Sequence, residues 1–232
     1  FKEADKIHAL VGYLPGEIAF IDSMSGMDFI RFVADIKKMN GLGRAQELIE
    51  MFELHASGKL KKMSKGMKQK IGIVCAFMNP DTQVYILDEP SSGLDPVMQN
   101  RFIDLVLNEK KQGKTILMSS HMFEEIERTC DRAAIIREGK IVAVEEMEKL
   151  QAGRQKMMEV TFASPDMAKA FAGEIHGAQY TEGTRKVRAK VGKELDTFVK
   201  KAGRYTVTDW NVQTQSLEEF FLHFYGGEEE KV

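Results

Sequence analysis

The chain has 232 residues, 43% apolar and 29% charged, which suffices for one large or two smaller domains with a proper core. Its 33 basic and 35 acidic residues leave a net charge of −2, so the overall field gives no reason to expect nucleic acid or an anionic surface as a partner. The longest apolar run, residues 73–78, falls far short of the ~20 residues a membrane-spanning helix needs. Cys75 and Cys130 sit in apolar or amphipathic helical patterns, where reduced, buried thiols and a cytosolic compartment are expected.

In chain order, residues 9–14 read as a strand stopped by Pro15-Gly16. Ser25 is placed to cap a helix through residue 39, with Asp28 completing a capping-box pattern and Phe29, Ile30, Phe32, Val33 and Ile36 on the apolar face. A break at residues 40–43 precedes a second helix over 44–54, so an inserted helical block is expected between the first strand and residue 64. A helix from Ser64 to about Met78, closed by Asn79-Pro80, leads into Val84-Tyr85-Ile86-Leu87-Asp88-Glu89-Pro90. Four apolar residues there predict a parallel strand covered on both faces that delivers two acids to a sheet edge. A helix over 96–111, a strand over 115–120 ending at His121, a helix over 122–130 and strands over 133–137 and 140–143 follow. Alternation of strands and helices predicts a mostly parallel sheet flanked by helices.

Composition shifts at residues 149–156, read as a linker between a first domain (1–148, helical block within 17–78) and a small α+β domain (157–232). The second domain is expected to hold strands over 157–162, 186–191 and 205–210 and helices over 164–171 and 193–201. A last helix, capped by Ser216 with Glu219, would carry Leu217, Phe220, Phe221 and Phe224.

Two consecutive carboxylates at the end of a buried strand repel one another and resist burial. A hydrated Mg²⁺ is the usual compensation. In a nucleotide site Asp88 would hold that ion, in part through water, and Glu89 would orient and deprotonate an attacking water. A strand ending in solvated acids before a turn is the plain alternative. Gly66 lets backbone approach a ligand, the Ser64 hydroxyl can donate, and exposed N–H groups at the following helix start favour an anion. Lys59, Lys61, Lys62, Lys65, Lys68 and Lys70 could instead form a solvated face or a nucleic-acid patch.

Taken in order, Ser64-Lys65-Gly66-Met67-Lys68-Gln69-Lys70, the Val84 strand, Ser92-Gly93-Leu94-Asp95 and His121 resemble the ATPase subunit of an ABC transporter, bacterial exporter type. The likeness spans about Gly12 to Ala143, and Ser216-Leu217-Glu218-Glu219-Phe220-Phe221-Leu222 is similar to the closing helix of that branch. It implies a P-loop NTPase-like α/β fold with ATP and Mg²⁺. Ser64, Lys65, Gly66 and Met67 would act as the signature motif, meeting the γ-phosphate held by a second ATPase subunit in a head-to-tail dimer. Lys65 and Met67 depart from the strictest form of that motif. Glu89 and His121 would be catalytic, His121 as the switch histidine on the γ-phosphate, and Asp88 would hold Mg²⁺. Ser92, Gly93, Leu94 and Asp95 would form the D-loop, Asp95 also being suited to cap the helix at Pro96. Gly16 and Glu17 fall in the Q-loop region, Gly16 occupying the usual glutamine position.

No Gly-x-x-x-x-Gly-Lys-Ser/Thr run occurs, and the chain opens on Phe1. A phosphate-cradling loop and an adenine-stacking aromatic are therefore expected upstream, with these residues inactive alone. The resemblance further implies a separate transmembrane permease subunit, no nucleic acid, and a cytoplasmic position on the inner face of the membrane. A translation or DNA-repair ATPase and a degenerate, non-catalytic cassette stand as alternatives.

Overall fold

The computed structural model describes residues 4–153, 156–192 and 195–214. It divides into two compact units, one through Thr129 and one from Cys130.

The first unit begins with α1 (Ala4–Leu10) and β1 (Val11–Leu14). The strand expected from residue 9 thus starts two residues later. The carbonyls of Ala9 and Leu10, at the helix end, are taken by Asn79 Nδ2 (2.8 Å) and Gln83 N (2.8 Å). Next come α2 (Gly26–Ile36) and α3 (Gly43–Met51), the inserted helical block. Ser25 caps α2 by accepting from Asp28 N at 3.1 Å and donating to Asp28 Oδ2 at 2.7 Å. Both helices stop earlier than their apolar periodicity predicts. Lys38 (φ 53°) and Glu53 (φ 48°) take left-handed conformations just past their ends, which no helix accommodates. Then follow α4 (Lys65–Phe77), β2 (Val84–Asp88), α5 (Pro96–Lys111), β3 (Thr115–Ser119) and α6 (Phe123–Thr129).

The three strands form one parallel sheet in the order β1-β2-β3, Asp88 pairing with Ser119 at its end. Both α4 and α5 pack on the face carrying Leu14, Tyr85 and Leu87. The Phe77 ring stacks on Tyr85 at 4.3 Å and meets Phe102 edge-on at 6.2 Å. Gly12 permits this approach, since a Cβ there would lie 2.5 Å from both the Ala76 carbonyl oxygen and the Tyr85 ring. The Tyr85 hydroxyl donates to Glu109 (3.0 Å), which Arg44 of α3 also pairs at 2.8 Å. The expectation of two covered faces is corrected among the described residues. Tyr13, Ile86 and Leu117, side by side in register, are 60%, 40% and 66% exposed. Two successive crossovers of the same hand put both helices on one side of a sheet whose order follows the chain.

The second unit opens with an antiparallel hairpin, β4 (Arg132–Arg137) and β5 (Lys140–Glu146), and α7 (Met147–Gly153). The stretch read as a linker is thus helical through residue 153. A four-stranded antiparallel sheet follows, ordered β7-β8-β6-β9, built from β6 (Lys156–Phe162), β7 (Gln179–Tyr180), β8 (Lys186–Val191) and β9 (Val207–Thr214). Helices α8 (Pro165–Glu174) and α9 (Leu195–Ala202) complete it. Phe162, Phe171 and Phe198 fill its core. The last strand begins at Val207 rather than residue 205, because Tyr205 turns inward against Phe162 and Phe171 and donates to Glu174. The helix expected from Ser216 lies outside the described residues.

Candidate active site

At the carboxyl end of β2 the chain turns sharply, and Glu89 takes a left-handed conformation (φ 47°). For a residue with a Cβ this costs on the order of 1–2 kcal/mol. Ser119, opposite Asp88 on β3, holds the turn from both sides. Its hydroxyl donates to Asp88 Oδ1 at 2.5 Å and accepts from Glu89 N at 3.0 Å. The two adjacent acids are thereby turned apart.

Glu89 reaches the loop after β3, where its Oε2 lies 2.5 Å from His121 Nδ1. This is the arrangement of an imidazole N–H donating to a carboxylate. His121 is 72% and Glu89 36% exposed, so the pair is screened by water and worth about 0–1 kcal/mol. Either partner can exchange it for a ligand at little expense.

Gly16, after β1, presses on Asp88: a Cβ there would stand 2.8 Å from its Oδ2. Glu17 beside it is exposed.

Ser64 caps α4, its hydroxyl accepting from Met67 N at 3.2 Å. Gly66 lies against the loop after Glu89; a Cβ would come within 2.6 Å of the Gly93 carbonyl oxygen. Lys65 crosses to the same loop and donates to the Ser92 hydroxyl at 3.1 Å. Asp95 caps α5 by accepting from Met98 N at 3.0 Å, and Leu94 is buried beneath it. The residues at 64–67 and 92–95 thus meet within one chain. Gln69, 4% exposed on α4, binds this loop firmly through Nε2 to the Pro90 carbonyl oxygen at 2.8 Å.

Sequence reasoning overlooked Ser119 and Gln69. A polar residue at a strand end and a glutamine between Lys68 and Lys70, just before an apolar helix stretch, were the signals. It also overlooked Glu125 on α6, which is 2% exposed and has no hydrogen-bond partner on either carboxyl oxygen. Burial pushes its pKa up, against the opposing pull of the Ser120 and Ser91 hydroxyls; Glu89 adds to the rise and His121 opposes it. Cys75 is a free thiol, and burial raises its pKa to about 12, consistent with an inert structural role.

Among the described residues no three acids, histidines or cysteines cluster as a cage for a metal. The donor set present, one strand-end carboxylate beside a serine hydroxyl, instead fits Mg²⁺, which keeps several waters and takes one or two carboxylates together with phosphate oxygens. A concavity of about 770 Å³ lined by Lys37, Asn40, Arg44 and Asn79 contains none of these groups.

A family model described as "AAA domain, putative AbiEii toxin, Type IV TA system" matches residues 59–124, which hold Ser64, Asp88, Glu89, Asp95 and His121. An uncharacterized ABC transporter ATP-binding protein of Nostoc sp. is 30% identical over 224 residues, covering 92% of this chain and 65% of that protein. YhaQ of Bacillus subtilis, an uncharacterized protein with the same description, is 28% identical over 93% of this chain and 74% of its own length. A solved structure titled "Structure of ATP binding subunit of ABC transporter" superposes with a TM-score of 0.58 at 27% identity, covering 65% of this chain and 64% of that one. The chain therefore spans slightly under two thirds of the Nostoc relative and of the structural neighbour.

Proposed function

The chain belongs to the family of ABC transporter ATP-binding proteins, and from that premise we propose that it hydrolyses ATP to drive transport through a separate transmembrane subunit. The observation that carries this reading is the joining of Asp88, Glu89 and His121 at one end of the parallel sheet through Ser119 and a 2.5 Å Glu89–His121 pair.

Asp88, steadied by Ser119, would hold Mg²⁺ through water. When bound, that ion supplies charge neutralisation at the phosphate oxygens. Glu89 accepts the proton of the attacking water, and its turn geometry aims it away from Asp88. General-base assistance of this kind contributes about 10²–10⁴ in rate. His121 leaves Glu89 to donate to the γ-phosphate, freeing the carboxylate as base at the moment substrate arrives. The weakness of the exposed pair suits that exchange. Gly16 approaches Asp88 by its backbone, and Gly16 and Glu17 would form the Q-loop region beside the metal.

Ser64, Lys65, Gly66 and Met67, with the N–H groups of Lys65 and Gly66 at the helix start, would meet the nucleotide of a second ATPase subunit in a head-to-tail dimer. Ser92, Gly93, Leu94 and Asp95, held to them by Lys65 and by the Gly66 approach, would report that contact to Glu89 in the same chain. The helical block of about residues 17–62 would pass the motion to the permease at the inner face of the membrane. No nucleic acid is involved, and the catalytic domain extends through about residue 148. We further infer that these 232 residues alone turn over little ATP, because a phosphate-cradling loop normally contributes several bonds of ~1.5–3 kcal/mol each.

Joining a phosphate-loop segment to the chain and comparing wild type with Glu89→Gln tests the reading: hydrolysis that depends on Glu89 is expected, and none would favour a non-catalytic cassette. The AAA-domain description of the matched family model favours, as a second reading, an ATPase that drives no transport. Co-purification with an integral membrane protein rather than ribosomes or DNA separates the two.

A further inference from the structure

Among the described residues Glu125 is the one buried acid of the first unit that nothing above employs, and its surroundings are specific. It lies on the first turn of α6, 2% exposed, with both carboxyl oxygens lacking a hydrogen-bond partner. The polar groups turned toward it are the hydroxyls of Ser120 and Ser91; the charges facing it are Glu89 and His121. Ser120 immediately precedes His121, and Ser91 follows Glu89 by two residues. Both serines already meet at Met122, whose N–H donates to Ser120 Oγ at 3.0 Å and whose sulfur accepts from Ser91 Oγ at 3.6 Å. Among the described residues no cation pairs with Glu125. Arg128, one turn on, reaches Asn100 and Glu124, and Lys110 of α5 reaches the Thr129 carbonyl. Burial disfavours an ionised carboxylate in such a place, and a neutral one can donate its proton to a neighbouring hydroxyl.

We propose that Glu125 is a positioning residue of the hydrolysis centre, a buried carboxyl wedged between the Ser91 and Ser120 loops that sets the separation of Glu89 from His121. A small adjustment would let its proton bond one serine hydroxyl and its carbonyl oxygen accept from the other, coupling the two loops. When His121 turns from Glu89 to substrate, this clamp keeps both within reach of the reacting water. A site 1 Å too loose can cost about 10² in rate. The proposal rests on the ATPase reading for its consequence, but not for its protonation state.

Two measurements test it. In the 232-residue chain at neutral pH, an infrared band of a protonated carboxyl should be present and vanish in Glu125→Gln; its absence from the wild type overturns the proposal whatever the ATPase does. In the loop-bearing ATPase, Glu125→Ala should lower kcat roughly tenfold to a hundredfold with KM for MgATP little changed. Glu125→Gln, which keeps a neutral donor and acceptor, should recover most of that loss. Equal losses in both variants, or no loss in Glu125→Ala, overturn it; a wild type without any turnover instead sinks the ATPase reading and leaves the infrared result standing.

Discussion

Two buried glutamates, Glu159 of the second unit and Glu125 of the first, are treated oppositely. Glu159, on β6 of the second unit, is met by Lys186 at 2.7 Å and Arg188 at 2.5 Å, and these hydrogen bonds hold its pKa below the usual value. Glu125 of the first unit has no cation, and burial pushes its pKa the other way. The alternating pattern of an antiparallel sheet places cations on the neighbouring strand of the same face, and the acid is silenced. Beside Glu89 and His121 the fold supplies only hydroxyls, and the acid keeps chemical capacity. Where an acid's charge is left uncompensated distinguishes the reactive end of this molecule from its scaffold.

The largest expected contrast is between Glu89→Gln and Glu159→Gln in an ATPase-competent form. The first should cut turnover by about 10²–10⁴, and the second should leave it unchanged. A loss from Glu159→Gln of similar size would erase the distinction. His121→Ala should cost about 10² in kcat, as for removal of a donor to developing charge, and steady-state hydrolysis reads it. Gly66→Ala brings a Cβ within 2.6 Å of the Gly93 carbonyl oxygen, so one backbone must yield. Denaturant unfolding should show about 1–3 kcal/mol lost from the first unit alone.

The smallest effect is also the most diagnostic. Glu159 has a lowered folded-state pKa, so its stabilisation is present above the unfolded glutamate value and is lost as pH falls through the folded one. Glu125 has a raised folded-state pKa, so stability declines as pH rises from the unfolded value toward the folded one. Melting temperature against pH should therefore lose its acid-side rise in Glu159→Gln and its opposing slope in Glu125→Gln.

Much of this was readable from residue order alone. The apolar run before Asp88 and Glu89 predicted a parallel strand, Ser25, Ser64 and Asp95 announced helix starts, and His121 stood one strand on. Those signals are local and have local causes: a hydroxyl or carboxylate three residues before an N–H, a period-two run, a proline. Three things were not readable. Left-handed residues at Lys38 and Glu53 ended helices that periodicity alone would prolong. The run Val84 to Leu87 carries no mark of which face stays open, because that depends on both crossover helices landing on one side. Ser119, Gln69 and Glu125 owe their places to partners thirty, twenty-one and about thirty-five residues away across the fold, and no spacing rule reaches that far.

The central claim is that Glu89, released by His121, is the base for hydrolysis at Asp88. Single-turnover reactions of the loop-bearing protein with MgATP, quenched and resolved by nucleotide, test it most directly. Wild type should convert bound ATP to ADP while Glu89→Gln retains ATP bound and intact. ADP formed at the wild-type rate by Glu89→Gln would contradict the account.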